Sequence, residues 1–203
     1  MVKLNKTRQL NTKKNMVSGN IRIIAGRHRG RKLPVIMSPG LRPTTDRIKE
    51  TVFNWLMPYV HASHCLDCYA GAGSLGFEAL SRGASELTLL ELDKKVAQQL
   101  RENMFRLNAD NVEVIEVDSL HYLRNNLAKR QDIVFVDPPF RQGLIEKTIE
   151  LLALGWVADL SLIYLEMEYD LTGVNIPTNW LLLKEKVSGQ VAYRLYQVQE
   201  KQK

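Results

Sequence analysis

Two hundred and three residues, 45% hydrophobic and 25% charged with a net charge of +6, suffice to bury one substantial core and exclude a disordered tail or a coiled coil. No stretch approaches the roughly 20 uninterrupted apolar residues of a membrane helix, and the opening MVKLNKTRQLNTKKNMVSGN lacks the apolar run of a secretory signal, so a soluble cytoplasmic protein is expected. Cys65 and Cys68 cannot build a disulfide framework, and one C-x-x-C without a second ligand pair is a poor zinc signal, so both read as buried thiols and no metal is expected.

The charge is unevenly placed. Met1 to Thr45 holds eleven of the 28 Lys and Arg and no acid, while the remainder carries 17 basic residues against 22 acidic ones. A basic front end on a mildly acidic body points to a polyanion partner, gripped through its phosphates and with little sense of base sequence. Residues 1–18 are polar and aperiodic; they read as a disordered basic tail, with a solvated or transit segment as the bland alternative. Ile21 to Gly26 and Arg27 to Val35 read as two short β segments around a Gly-bounded basic turn, making residues 19–45 a basic β-hairpin extension with Arg27, His28 and Arg29 at its tip. So small a hairpin needs a surface to pack on.

Arg42-Pro43-Thr44-Thr45-Asp46 starts a helix, with Thr45 or Asp46 as N-cap and one apolar stripe of Ile48, Val52, Trp55, Leu56 and Tyr59. After Pro58 the chain alternates: strands at about His64–Tyr69, Leu87–Glu91, Val112–Val117, Asp132–Asp137 and Leu160–Glu166, and helices at about Ser74–Arg82, Lys94–Asn108, Ser119–Lys129 and Gly143–Leu154. Apolar strands separated by amphipathic helices require right-handed crossovers and a parallel sheet covered on both faces. Trp180–Val187 and Gln190–Val198, joined through Ser188-Gly189, are too close for a helical crossover and read as an antiparallel hairpin at the far side of the sheet. The expected fold is α/β and Rossmann-like: a mostly parallel seven-stranded sheet over residues 46–203 with a C-terminal antiparallel hairpin, plus the small N-terminal one.

Ligands of open α/β sheets bind beyond the carboxyl ends of the strands. Four successive strands here end near an acid: Asp67, Glu91, Asp118 and Asp137. One such carboxylate alone reads as a helix cap; four at the same topological position weaken that reading. The first turn, Asp67-Cys68-Tyr69-Ala70-Gly71-Ala72-Gly73-Ser74-Leu75-Gly76, contains G-x-G-x-x-G between a strand and a helix. Two ligands compete for it, a dinucleotide with its pyrophosphate and S-adenosylmethionine with its sulfonium and ammonium. Four carboxylates repel the first and welcome the second. Asp67 suits the methionine ammonium, Glu91 the ribose hydroxyls and Asp118 the adenine amine, with Tyr69, Ala70, Gly71, Gly73, Leu92 and Ser119 completing the candidate cofactor set.

The fourth strand runs into Asp137-Pro138-Pro139-Phe140. Two prolines remove backbone donors and stiffen the loop, leaving the Asp137 carboxylate and the Pro138 carbonyl as convergent acceptors for a planar NH2 group. Holding both hydrogens favours pyramidalisation of an otherwise delocalised amine and aims its lone pair at a methyl donor. Phe140 suits stacking on a flipped or unpaired base. Read alone, the tetrapeptide is an ordinary strand-exit turn; its place two βα units after the glycine-rich turn favours the catalytic reading.

Asp67 to Gly76 and Asp137 to Phe140 resemble motifs I and IV of class I S-adenosylmethionine-dependent methyltransferases acting on amino groups. More narrowly, Ile21 to Gly26, Gly30 to Leu33 and Arg42-Pro43-Thr44-Thr45-Asp46-Arg47 onward through Trp55 resemble the RsmD family over about Ser18 to Val198. The resemblance implies a 16S rRNA guanine-N2 methyltransferase acting on the small subunit or an assembly intermediate; a monomer is expected because one core accounts for all the apolar periodicities. The resemblance also implies a substrate face of Arg22, Arg27, His28, Arg29, Arg31, Lys32, Arg42, Thr44, Thr45 and Asp46. Methylation of adenine in DNA or of a glutamine amide, and a noncatalytic RNA-binding assembly factor, stay open on the residues alone.

Overall fold

The computed structural model describes residues 18–36 and 45–200. The expected tail up to Val17, and the candidate residues Arg42 and Thr44, lie outside the described residues. The chain opens on an antiparallel pair, β1 (Ser18–Arg22) and β2 (Lys32–Ile36), with Ile21 opposite Leu33. The first strand thus ends four residues before the expected Gly26. Its continuation is diverted because the amides of Ile24 and Ala25 donate to the buried Glu78 carboxylate at 2.8 and 3.0 Å. Gly26 follows at φ +79°, where an added Cβ would meet the Ser81 carbonyl oxygen at 1.9 Å, so only glycine fits. The Arg27 amide donates to the Ser81 carbonyl and the His28 amide to its hydroxyl. The basic loop is therefore clasped to the body rather than carried on a free tip.

Thr45 caps α1 (Asp46–Leu56), its Oγ1 accepting from the Ile48 amide. Val52 and Leu56 of the expected stripe are buried and Ile48 and Trp55 half-buried, while Tyr59 falls beyond the helix and is exposed. Two residues outside the stripe are buried instead. Phe53 packs on Phe135 with ring centroids 6.1 Å apart, and Lys49 donates to the Arg22 carbonyl and pairs with Asp46 at 3.3 Å. A buried ammonium held by two oxygens ties α1 to the N-terminal pair.

The alternation then runs β3 (His64–Asp67), α2 (Ser74–Ser81), β4 (Glu86–Glu91), α3 (Lys94–Arg106), β5 (Val112–Glu116), α4 (Ser119–Asn125), β6 (Gln131–Val136), α5 (Leu144–Leu152), β7 (Val157–Glu168), β8 (Trp180–Ser188) and β9 (Val191–Val198). The seven strands are ordered β5-β4-β3-β6-β7-β9-β8, parallel through β7, with β9 antiparallel between β7 and β8. α4 stops four residues short of the expected Lys129. Asn125 and Asn126 turn their side-chain amides back onto the carbonyls of His121 and Tyr122, and Leu127 is 96% exposed, so no apolar contact rewards another turn. β7 is longer than expected at both ends because β6 and β9 flank it.

Two apolar layers cover the sheet. α1, α2, α3 and the N-terminal pair share one core with Phe135 and Tyr164, and α4 and α5 share the other with Val134, Val136 and Ile163. Ile133 to Val136 are all fully buried, the continuous apolar run of a strand covered on both faces. The connections leave β3 towards β4 and leave β6 towards β7, so the switch in strand order falls between the carboxyl ends of β3 and β6. Among the described residues no helix is long and apolar enough to cross a membrane.

Candidate active site

At that switch point Asp67 ends β3 level with Phe135, and Asp137 follows neighbouring β6 two residues further along. Asp67 is buried and accepts the amides of Tyr69 and Gly76, yet burial pushes its carboxyl up to about 7, helped by the negative Glu91. Glu91 closes β4. Its Oε2 accepts from the Gly71 amide and its Oε1 from the Asp93 amide, both at 2.8 Å, and burial raises its proton affinity too. The glycine-rich turn is thereby pinned to the neighbouring strand end. Gly73 takes φ +75°, where a Cβ would lie 2.6 Å from the Phe77 ring. The Ser74 hydroxyl, buried at the first turn of α2, has no hydrogen-bond partner among the described residues.

Asp118 caps α4 through the His121 amide at 2.8 Å and is exposed. Ser119 is buried and donates to the Cys68 carbonyl, while the Tyr69 hydroxyl meets that of Thr148 on α5 at 2.6 Å. These two polar side chains bind elements together. Ala70 is buried in the same turn, and Leu92, next to Glu91, is 69% exposed. Cys65 and Cys68 are buried; desolvation pushes the Cys65 thiol up to about 12 and the Cys68 thiol well above its usual value. Among the described residues no three His, Cys, Asp or Glu side chains are grouped to hold a metal ion.

Asp137 is half-buried at the end of the central strand, Pro138 is buried, Pro139 exposed and Phe140 half-buried against the core shared with α1. Sequence reasoning missed its neighbour. Val136 pairs with Leu165, which sets Glu166 of β7 level with Asp137, and the Tyr164 hydroxyl donates to Glu166 Oε2 at 3.0 Å. Burial, then the negative Glu166, then Asp67 drive the Asp137 carboxyl well above its ordinary value, and burial pushes Glu166 up to about 7. Among the described residues neither Asp137 nor Glu166 has an ion-pair partner. Burial therefore makes ionisation of this corner costly, and a cation or a hydrogen-bond donor placed there favours its ionised, accepting form.

On the N-terminal side, Arg27, Arg29 and Lys32 are exposed. Arg22 is committed to Asp46 at 2.6 Å and Arg31 to the Arg106 carbonyl at 2.8 Å. His28 is half-buried with Nε2 buried and unpartnered, and desolvation with Arg27 and Arg31 lowers its proton affinity. Thr45 and Asp46 begin α1, and Arg22 and Lys49 hold the Asp46 carboxyl below its usual range.

A parallel sheet of this strand order with an antiparallel pair at its β9-β8 edge is the class I methyltransferase fold. The family model described as conserved hypothetical protein 95 matches residues 21–197. The chain is 56% identical over 181 residues to ribosomal RNA small subunit methyltransferase D of Escherichia coli K12, spanning 89% of this chain and 91% of that one. It is 55% identical to the protein of the same name in Haemophilus influenzae, over 88% and 94% of the two chains. The solved structure of yhhF from Escherichia coli superposes with a TM-score of 0.84 at 52% identity, covering 89% of this chain and 99% of that one. The chain belongs to the RsmD family.

Proposed function

We propose that this protein transfers a methyl group from S-adenosylmethionine to the exocyclic N2 amine of a guanine in 16S rRNA, within the small subunit or an assembly intermediate. The observation that carries the reading is the partly buried Asp137 and the stiff Pro138-Pro139 turn at the switch point, beside a glycine-rich turn lined by carboxylates. The names of the relatives supply the substrate class.

The residues present fit the cofactor. Asp67, Glu91 and Asp118 are acceptors suited to an ammonium, a pair of ribose hydroxyls and an adenine amine, and Ser74 offers an unpartnered hydroxyl. When bound, S-adenosylmethionine supplies an electrophilic methyl on a sulfonium. Asp137 and the Pro138 carbonyl hold the two hydrogens of N2 and turn its lone pair outward. Phe140 stacks on the base. The raised proton affinity of Asp137 also suits it to take the proton that N2 sheds after methylation. Exposed Arg27, Arg29 and Lys32 lie on the hairpin face that receives RNA phosphates.

The test is incubation with methyl-labelled S-adenosylmethionine and small subunits from cells lacking the enzyme, with DNA as the competing acceptor. Label enters the rRNA, and Asp137→Ala removes at least about 1,000-fold of the rate while still binding cofactor. Near-normal transfer by that variant refutes the role of Asp137.

A further inference from the structure

Asp137 and the Pro138 carbonyl recognise an NH2 group, and both guanine N2 and adenine N6 are NH2 groups. The bases differ at the adjoining ring atom. Guanine N1 bears a hydrogen, whereas adenine N1 bears a lone pair. An acceptor aimed beside the amine therefore selects guanine.

We propose that Glu166 is that acceptor: its carboxylate takes the N1–H of the target guanine while Asp137 and Pro138 take the N2 hydrogens, so that Glu166 excludes adenine. The proposal rests on the guanine reading above and deepens it. Val136 opposite Leu165 places Asp137 and Glu166 one step further along adjacent parallel strands, which run about 4.8 Å apart. Residues two apart share a face of a strand. Phe135 and Tyr164, two before each acid, meet edge-on with centroids 6.3 Å apart in the core shared with α1, so both acids emerge on that same face. Acidic side chains on adjacent strands and the same face can converge on the neighbouring donors at one edge of a base.

Glu166 is also held in place. The Tyr164 hydroxyl binds Oε2 at 3.0 Å, and on the far side Glu166 is in register with Tyr193 of β9. A purely structural role explains the arrangement poorly. Two partly buried acids level with each other, with no ion-pair partner among the described residues, oppose folding unless a ligand uses them. The raising of the Asp137 proton affinity by Glu166 agrees with the closeness that the register implies.

The experiment compares wild type, Glu166→Gln and Tyr164→Phe on small subunits carrying either the natural target guanine or adenine at that position. Methyl transfer is read as kcat/KM, with S-adenosylmethionine binding and thermal unfolding measured alongside. An amide both accepts and donates, so Glu166→Gln loses about 10- to 100-fold on guanine and gains measurable transfer to adenine, while cofactor binding is unchanged. Tyr164→Phe, which frees the carboxylate without removing it, loses several-fold on guanine only. A Glu166→Gln enzyme with the wild-type preference for guanine over adenine overturns the proposal, whether its rates are normal or lowered equally on both. Failure of the underlying reading shows in the wild type alone, as label on a base other than guanine, and overturns the proposal with it.

Discussion

In the proposed reaction Asp137 and Glu91 carry different parts of the chemistry, and their surroundings say how each substitution would fail. Asp137 has no ion-pair partner among the described residues, so shortening it removes an acceptor without tearing a network. Glu91 holds the amides of Gly71 and Asp93 and faces the proposed ribose position, so Glu91→Ala is expected to weaken S-adenosylmethionine binding by about 10- to 100-fold in calorimetry. Unchanged affinity would remove Glu91 from the cofactor site. Asp67, Glu91, Asp118 and Asp137 were legible in the sequence because each stands where an apolar strand stops. Glu166 was not, because the alternation Tyr164-Leu165-Glu166-Met167-Glu168 runs through it without a break and its closeness to Asp137 exists only through strand register. The committed hydroxyls of Ser119 and Tyr69 were hidden for a similar reason, since their partners Cys68 and Thr148 lie 51 and 79 residues away.

Among the elements, the N-terminal pair shows how a small basic extension is held to the body. Ile21, Ile23, Leu33 and Val35 are buried against the body, the Asn103 side chain on α3 donates to the Pro34 carbonyl, and Glu78 of α2 satisfies two loop amides together with Arg82. Glu78→Ala leaves those donors unpaired and is expected to cost about 3 kcal/mol, lowering the melting temperature by roughly 6–12 °C. Hydrogen exchange at Ile24 and Ala25 should quicken beyond the average of the chain. Equal exchange in variant and wild type would show that the clasp lies elsewhere. The existence of the pair was readable from its Gly-bounded β segments. Its boundaries were not, because the residue that ends the first strand is Glu78, more than fifty positions downstream. The alternation of the body was readable because each helix separates two apolar runs, whereas the end of α4 depended on the side-chain amides of Asn125 and Asn126.

For the molecule as a whole, the acidic corner makes folding and ligand binding depend on pH in opposite senses. Asp67, Glu166 and Asp137 all have proton affinities raised by burial, the first two to about 7. At these three acids the folded free protein therefore holds more protons than the unfolded chain between about pH 4 and pH 7. Their contribution to stability is complete below the unfolded value and is lost as pH rises through 7. Asp137→Asn should accordingly raise the melting temperature at pH 8 and lose that advantage at pH 5; an advantage independent of pH would contradict the burial of an ionisable pair. A cationic cofactor favours the ionised acids, so S-adenosylmethionine affinity should rise over the same interval. The basic front end and acidic body, visible in the composition, thus serve two ligands of opposite charge in this account. The measurement that tests it most directly is identification of the nucleoside labelled when the protein meets methyl-labelled S-adenosylmethionine and small subunits from cells lacking the enzyme. N2-methylguanosine in digests of 16S rRNA is the expected result, and label on adenine, in DNA or in protein would contradict the guanine amine as the acceptor.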